Sequence, residues 1–267
     1  MTLGPDGEIL TLKFEISPTQ QGRRTYRLRI IPPAEDQDSR DNLRSATVQI
    51  VERKNRVLLF AGGPSREFRF LRTLLYRDRD TTAVVYLQTG QAGMAQEADE
   101  VIYEFPTLTN ELFEYDCIVA FDPDWNELAE DQIQMLERWV AEKAGGLLVV
   151  AGPVHTPRWA SRIQADSKIE AIKGLYPVIF YSRGSATLRL GRFAAETAWP
   201  LQFTQDGRDA EFLWLEDDSL LSEQAWTSFE GVYGYYAVKD PKPGARVYAR
   251  FSDPNTSMDG DLPIYLA

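Results

Sequence analysis

A nucleophile and a base are the first things to seek, and this 267-residue chain offers one of each: Cys117 and His155 are its only cysteine and its only histidine. A Cys–His pair performs nucleophilic catalysis when the thiol is exposed and its pKa depressed, typically at a helix N-terminus or a sharp turn. Cys117 instead opens the apolar run Cys117–Phe121, where a cysteine ordinarily serves as a small buried hydrophobe. His155 stands just past the apolar run 147–152, a better location for a functional residue; the plainer reading is an exposed or capping histidine. No Gly-x-Ser-x-Gly elbow occurs. One cysteine excludes an internal disulfide, and one histidine excludes a multi-histidine zinc site.

Carboxylates are the remaining chemistry. Asp122-Pro123-Asp124 has the composition of a Mg²⁺-sharing loop, but such a string more often turns the chain and lets its second aspartate cap the next helix. The oxygen-rich stretch 253–261 matches no EF-hand spacing and reads as a solvated loop. Glu216-Asp217-Asp218 reads as a surface face. Glu67 and Asp122 form the one pair that an acid–base hydrolase would use, were they to converge. The segment 62–70, GGPSREFRF, places Gly62, Gly63 and Pro64 at a strand end and then opens a helix, whose free amides together with Arg66 and Arg69 suit an anion. It matches neither nucleotide-binding glycine pattern, and a tight turn with a Glu67–Arg69 ion pair is the plainer reading. No cofactor and no metal is expected.

These residues depend on the elements that carry them. From Arg56 the chain alternates strands and helices, the pattern of an α/β domain with a largely parallel sheet. Strands are expected at 57–61, 82–88, 117–121 and 147–152, the last fully buried. Ser65–Tyr76 reads as a helix with Phe68, Leu71 and Leu75 on one face. A second, from Glu127 to Lys143, puts Ile133, Leu136 and Val140 on a stripe with Trp139 beside it, and Gly145-Gly146 suits its C-terminal stop. Beyond Pro153 the expectations are short helices near 157–163 and 168–174 and strands at 178–181, 186–191, 245–251 and 263–266. Ligands of open α/β sheets bind beyond the carboxyl ends of the strands, which directs attention to four loops: Gly62–Arg69, Gln88–Glu97, Asp122–Asn126 and Gly152–Trp159.

Residues 1–55 read as strands alone, at 9–17, 25–32 and 45–53, alternating apolar and polar with the period of half-buried strands. Either they dock on the α/β domain, or they are the last strands of a truncated Ig-like sandwich, which is the preferred reading. Hydrophobic residues make up 43% of the chain and charged residues 26%, as in ordinary globular proteins. The net charge of −11 argues against nucleic-acid partners. Residues 111–153 supply most of it, with ten acidic against two basic residues. No apolar run is long enough to span a bilayer, and the N-terminus lacks the pattern of a signal peptide.

The run from Arg56 to Pro153 resembles a known family. RVLLFAGGPSREFRFLRTLL, EYDCIVAFDPD and QIQMLERWVAEKAGGLLVVAGP are similar to the class I glutamine amidotransferase-like domains of large, membrane-anchored bacterial envelope proteins, which often carry von Willebrand factor A or Ig-like regions upstream. The likeness continues more weakly through FTQDGRD, the segment around Trp226, and PGARVYARF. It implies a flavodoxin-like sheet. A working class I amidotransferase sets its cysteine on an elbow after a strand, in a Gly-x-Cys-x-Gly context, and completes the triad with a downstream histidine and glutamate. Here the strand leads into Gly152-Pro153-Val154, and no histidine follows His155. The resemblance therefore implies the fold without the reaction, and the chain's ends imply an excised piece of a larger, extracytoplasmic protein.

The resulting expectation is a flavodoxin-like, amidotransferase-like α/β domain over 56–267, with a β-rich C-terminal elaboration, preceded by a partial Ig-like segment over 1–55. Its expected role is non-catalytic recognition of other domains of the parent or envelope proteins, or of a small acidic or carbohydrate ligand. Gly62, Gly63, Arg66, Glu67, Arg69, Asp122, His155 and Trp159 are the candidate contacts. A carboxylate hydrolase and a structural spacer are the alternatives.

Overall fold

The computed structural model describes residues 14, 16, 18, 20–31, 42–50, 54–93, 96–161, 166–181, 191–192, 196–257 and 260–267. The chain divides into two compact units, Met1–Arg53 and Lys54–Ala267.

In the first unit, β1 (Gly22–Arg29) and β2 (Leu43–Ile50) pair antiparallel with Gly22 opposite Ile50 and Arg29 opposite Leu43. Thr25 and Thr47 meet across the ladder, hydroxyl to hydroxyl, at 3.1 Å. The expected half-buried alternation is not seen among the described residues of this unit, where Leu28, Leu43 and Val48 are exposed. The strand expected at 9–17 falls largely outside the described residues.

The second unit is built on five parallel strands. β3 (Asn55–Ala61), β4 (Thr81–Leu87), β5 (Glu100–Ile102), β6 (Cys117–Phe121) and β7 (Gly146–Val150) assemble in the order β5-β4-β3-β6-β7. The central strands are runs of Val, Leu, Ile, Phe and Ala, as a sheet covered on both faces requires. Alternate residues point to opposite faces and split the core in two. Leu58, Phe60, Val84, Tyr86, Ile118 and Ala120 face one side. Val57, Leu59, Ala61, Val85, Leu87, Val119 and Phe121 face the other.

Helices pack on the central strands from both sides. On the second side lies α1 (Arg66–Arg77), capped by the Ser65 hydroxyl accepting from the Phe68 amide at 3.2 Å, with Phe68 fully buried. On the first side, a 3₁₀ turn at Trp125–Glu127 precedes α3 (Glu130–Lys143), and α2 (Thr109–Leu112) lies before β6. The second helix therefore starts three residues later than its acidic lead-in suggests, because Asp124 caps the 3₁₀ turn while the Gln132 side chain satisfies the Ala129 amide at 2.8 Å. Ile133, Met135, Leu136 and Trp139 are buried, and the Trp139 indole donates to the Tyr115 carbonyl at 3.0 Å.

Two expectations fail at the end of this unit's crossover. The left-handed residue that stops α3 is Ala144, at φ 54°, not a glycine. Gly145 is needed for a different reason: a Cβ there would strike the Trp139 ring. β7 is also not fully buried. It is an edge strand whose Leu147 and Val149 pack on the α3 side while Leu148 and Val150 stay exposed.

After β7 come α4 (Thr156–Ala160) and α5 (Ser167–Leu175), close to their expected positions. The remainder forms small antiparallel sheets: β8 (Val178–Ile179) with β12 (Asp240–Pro241), β9 (Gly191–Arg192) with β11 (Tyr235–Tyr236), and β10 (Leu201–Phe203) with β13 (Ala249–Phe251) and β14 (Ile264–Leu266). α6 (Gln205–Asp209) and α7 (Ser219–Thr227) lie between them in sequence. The strand expected at 245–251 is confined to its last three residues, and most of the one expected at 186–191 lies outside the described residues. No described helix is long and apolar enough to cross a membrane.

Ala144 and Gly145 provide a paired test of this stop. Ala144→Gly relieves the left-handed strain of an L residue, partly offset by a looser unfolded chain, and raises stability by about 0.5 kcal/mol in urea unfolding. Gly145→Ala lowers it by about 2 kcal/mol, because the indole cannot move without vacating its packing.

Candidate functional site

The carboxyl ends of β3, β4, β6 and β7 lie on one edge of the sheet because all are parallel. The ladder continues into the loops: Gly62 N donates to Phe121 O at 3.0 Å, Gln88 N to Ala61 O at 2.9 Å, and Asp122 N to Val150 O at 2.8 Å. Two of the four loops singled out from sequence, Gly62–Arg69 and Gly152–Trp159, therefore flank a third, Asp122–Asn126.

Asp122 is the centre of this edge. Its backbone sits at φ 39°, a left-handed conformation that aspartate tolerates better than most residues. This turns its carboxylate toward the segment after β7. Oδ2 accepts from Val154 N at 2.9 Å and from His155 N at 3.1 Å. Oδ1 accepts from Thr156 N at 2.8 Å and from the Thr156 hydroxyl at 2.7 Å, and that hydroxyl accepts in turn from Gly152 N at 3.2 Å. One carboxylate thus neutralises a fan of amides that β7 and α4 leave open. The packing admits no extra atom: a Cβ on Gly152 would lie 2.5 Å from Asp122 Cβ and Cγ, and one on Gly62 would lie 2.6 Å from the His155 ring.

Asp124 points elsewhere. Its Oδ1 accepts from the Asn126 amide at 3.1 Å and from the Asn126 side chain at 2.7 Å. Its Oδ2 lies 3.3 Å from His155 Nδ1, near enough for ion pairing though off the line of a hydrogen bond, with both side chains mostly buried. Burial works to raise the Asp124 pKa, but the Asn126 hydrogen bonds and His155 outweigh it and hold the carboxyl below its ordinary value. Gln88 clasps the same turn, accepting from Asp124 N at 2.9 Å and donating to Asp124 O at 3.0 Å. The two aspartates thus diverge, and among the described residues no group of three metal-ligating side chains forms. Asp253 likewise caps its own turn through Asn255 and pairs with Arg192 at 2.8 Å.

The remaining candidates separate into two groups. Gly62 is buried beneath His155, and Gly63 is partly exposed above it. Arg66, Glu67 and Arg69 are exposed on the first turns of α1, with the Arg66 guanidinium 5.7 Å from the Phe70 ring centroid. The Glu67–Arg69 pair does not form, since residues two apart on a helix diverge. Glu67 instead lies near Tyr265 of β14, whose phenol is raised by burial and by that charge. Trp159, expected to flank a ligand, is wholly buried, its ring 5.3 Å from Tyr176 and 5.2 Å from Phe180 between centroids. Its partners were not singled out in the sequence. Tyr176 accepts from Trp125 Nε1 at 2.9 Å, and burial together with the Asp122 charge raises both Tyr176 and Tyr236, the latter to about 12.

Cys117 lies at the other end of the machinery. It opens β6 at the amino edge of the sheet, and burial, with Asp116 beside it, pushes its thiol up.

This arrangement defines a central parallel sheet flanked by helices, of the general Rossmann-like or flavodoxin-like kind, with a carboxylate-locked strand-end junction. No protein-family model matches the chain, and no curated protein and no solved structure is significantly similar to it.

Asp122→Ala strands the amides of 154–156 and lowers stability by about 3 kcal/mol, whereas Asp122→Asn, which keeps one oxygen acceptor and tolerates the left-handed turn, costs about half as much. The Asp124 contribution has a defined sign. Its folded pKa lies below the unfolded value, so the unfolded chain binds more protons, and stability falls as pH drops through and below the ordinary carboxylate range near ~4. Asp124→Asn flattens that acid limb in urea titrations taken between neutral and acid pH.

Proposed function

We propose that the Lys54–Ala267 unit is a non-catalytic recognition domain on a class I glutamine amidotransferase-like scaffold, which takes a small acidic or carbohydrate-derived ligand over its strand ends. The observation that carries this reading is the Asp122 carboxylate on the amides of Val154, His155 and Thr156. In an acyl-transfer enzyme, amides in such a place serve a developing oxyanion; in this chain they already hold an anion of the protein's own. The position of the only thiol supports the same reading, since Cys117 stands at the opposite edge of the sheet with a raised pKa, the reverse of an activated nucleophile.

The ligand class follows from what stays free at this edge. Arg66 and Arg69 are exposed at the start of α1, just after the turn of Gly62 and Gly63. A carboxylate-bearing sugar matches two guanidinium groups through charge-assisted, bidentate hydrogen bonds. Asp122 is then a positioning residue, since its oxygens are engaged in holding the loop. The resemblance to envelope proteins supports a setting in a membrane-anchored bacterial protein, outside the cytoplasm, with the parent's other domains as neighbours.

Titration with a uronic acid and with its neutral parent sugar tests the reading. The acidic sugar binds the wild type at least about tenfold more tightly, and Arg66→Glu with Arg69→Glu removes that preference while leaving the unfolding midpoint unchanged. Equal affinities in both proteins contradict the proposed ligand class. Ammonia release from glutamine that Cys117→Ser abolishes contradicts the non-catalytic assignment.

A further inference from the structure

β1 and β2 are basic strands in an acidic chain. β1 holds Arg23, Arg24, Arg27 and Arg29, β2 holds Arg44, and neither has an acidic residue, although the chain's net charge is −11. Alternation along each strand sorts these side chains onto two faces, and the register makes the sorting definite. Arg23 stands opposite Gln49, Thr25 opposite Thr47, and Arg27 opposite Ser45. The hydroxyl contact between Thr25 and Thr47 shows that these pairs project to one side. Arg29, opposite Leu43, ends the same row. Arg24, Tyr26 and Leu28 project to the other side, with Val48, Ala46 and Arg44 opposite them.

The first face is polar except for Leu43 at its end. Arg23, Arg27 and Arg29 are exposed there, and among the described residues none of the three guanidinium groups has an ion-pair partner. Arg24, on the opposite face, donates to Gln20 at 2.6 Å. With a rise of about 3.4 Å per residue, Arg27 and Arg29 stand about 7 Å apart, and Arg23 lies about 14 Å beyond Arg27. Like charges aligned on one face oppose the fold, and an anion laid along them relieves that repulsion.

The neighbours of the row select the kind of anion. The row is one strand wide, and Ser45, Thr47 and Gln49 run beside it with hydroxyl and amide groups. Guanidinium groups take carboxylates bidentately, and hydroxyl and amide groups hydrogen-bond sugar hydroxyls. A single-stranded nucleic acid calls for an aromatic platform within the cationic groove. A lipid surface calls for apolar side chains that enter it beside the cations. Tyr26, Leu28 and Val48 are instead on the opposite face.

We propose that the Arg23, Arg27 and Arg29 face of this ribbon binds an extended acidic polysaccharide, a chain of uronate sugars lying along β1 with its hydroxyls toward β2. The site belongs to the Met1–Arg53 unit, so it stands apart from the recognition reading of the Lys54–Ala267 unit.

Titration of the full chain with oligogalacturonate and with its fully methyl-esterified form tests the assignment. The wild type binds the acid and not the ester, and added salt weakens the binding by screening the charges. Arg27→Thr with Arg29→Thr lowers the affinity at least about tenfold, whereas Arg24→Thr with Arg44→Thr, an equal loss of charge from the opposite face, lowers it less than about twofold. Threonine suits an exposed strand position, so circular dichroism and the unfolding midpoint of both variants stay as in the wild type. The titrations are repeated in the Arg66→Glu, Arg69→Glu background, which removes any contribution from the strand-end site. A wild type that does not bind the acid overturns the proposal, as does an equal loss in the two double variants. Tighter binding of oligothymidylate or of phosphatidylglycerol vesicles overturns it as well.

Discussion

The junction between β6 and β7 rests on one ion among amides. The Asp122 carboxylate is the acceptor for three successive N–H groups and a hydroxyl, and removing it would leave partly buried donors without partners, the costliest kind of lost hydrogen bond. Everything at the strand ends is arranged around it. Gly152 and Gly62 are small so that Asp122 and His155 can come close. His155 is held over Gly62 and beside Asp124, and α4 starts where the carboxylate fixes its first turn, which sets Trp159 into the core against Tyr176 and Phe180.

That constraint connects fold to function. A helix N-terminus or turn rich in free amides is an anion site, and evolution can leave it open for a transition state or close it with a side chain. Here it is closed. Arg66 and Arg69 lie exposed on α1, outside that junction. Asp124 Oδ2 stays 3.3 Å from His155 Nδ1, while Asn126 and Gln88 tie Asp124 to its own turn.

Much of this was legible in residue patterns. The apolar runs at 57–61, 82–88 and 117–121 are strands within a residue or two, and the 3.6-residue periodicity of α1 and α3 gave their inward faces, because burial on a continuous sheet imposes those patterns directly. The coincidence of Gly62, Asp122 and His155 on one edge followed from parallel strand order alone. What escaped was set by tertiary context. The edge status of β7 is invisible in Leu-Leu-Val-Val, since an apolar run looks the same at the centre of a sheet and beside an uncovered face. The partnership of Asp122 with Thr156 spans 34 positions, beyond the reach of any local spacing rule. Trp159 looked available to a ligand because it ends the strand-end loop Gly152–Trp159, and it is buried because Tyr176 and Phe180 pack on it from a later segment.

Amide hydrogen exchange of the strand-end loop, read residue by residue by NMR, tests the carboxylate lock most directly. A closed junction predicts slow exchange at Val154, His155 and Thr156 in the wild type and selective loss of that protection in Asp122→Ala, with β3 and β6 amides unchanged. Fast exchange at those three amides in the wild type would mean that the junction is open and available to an exogenous anion, which contradicts the lock.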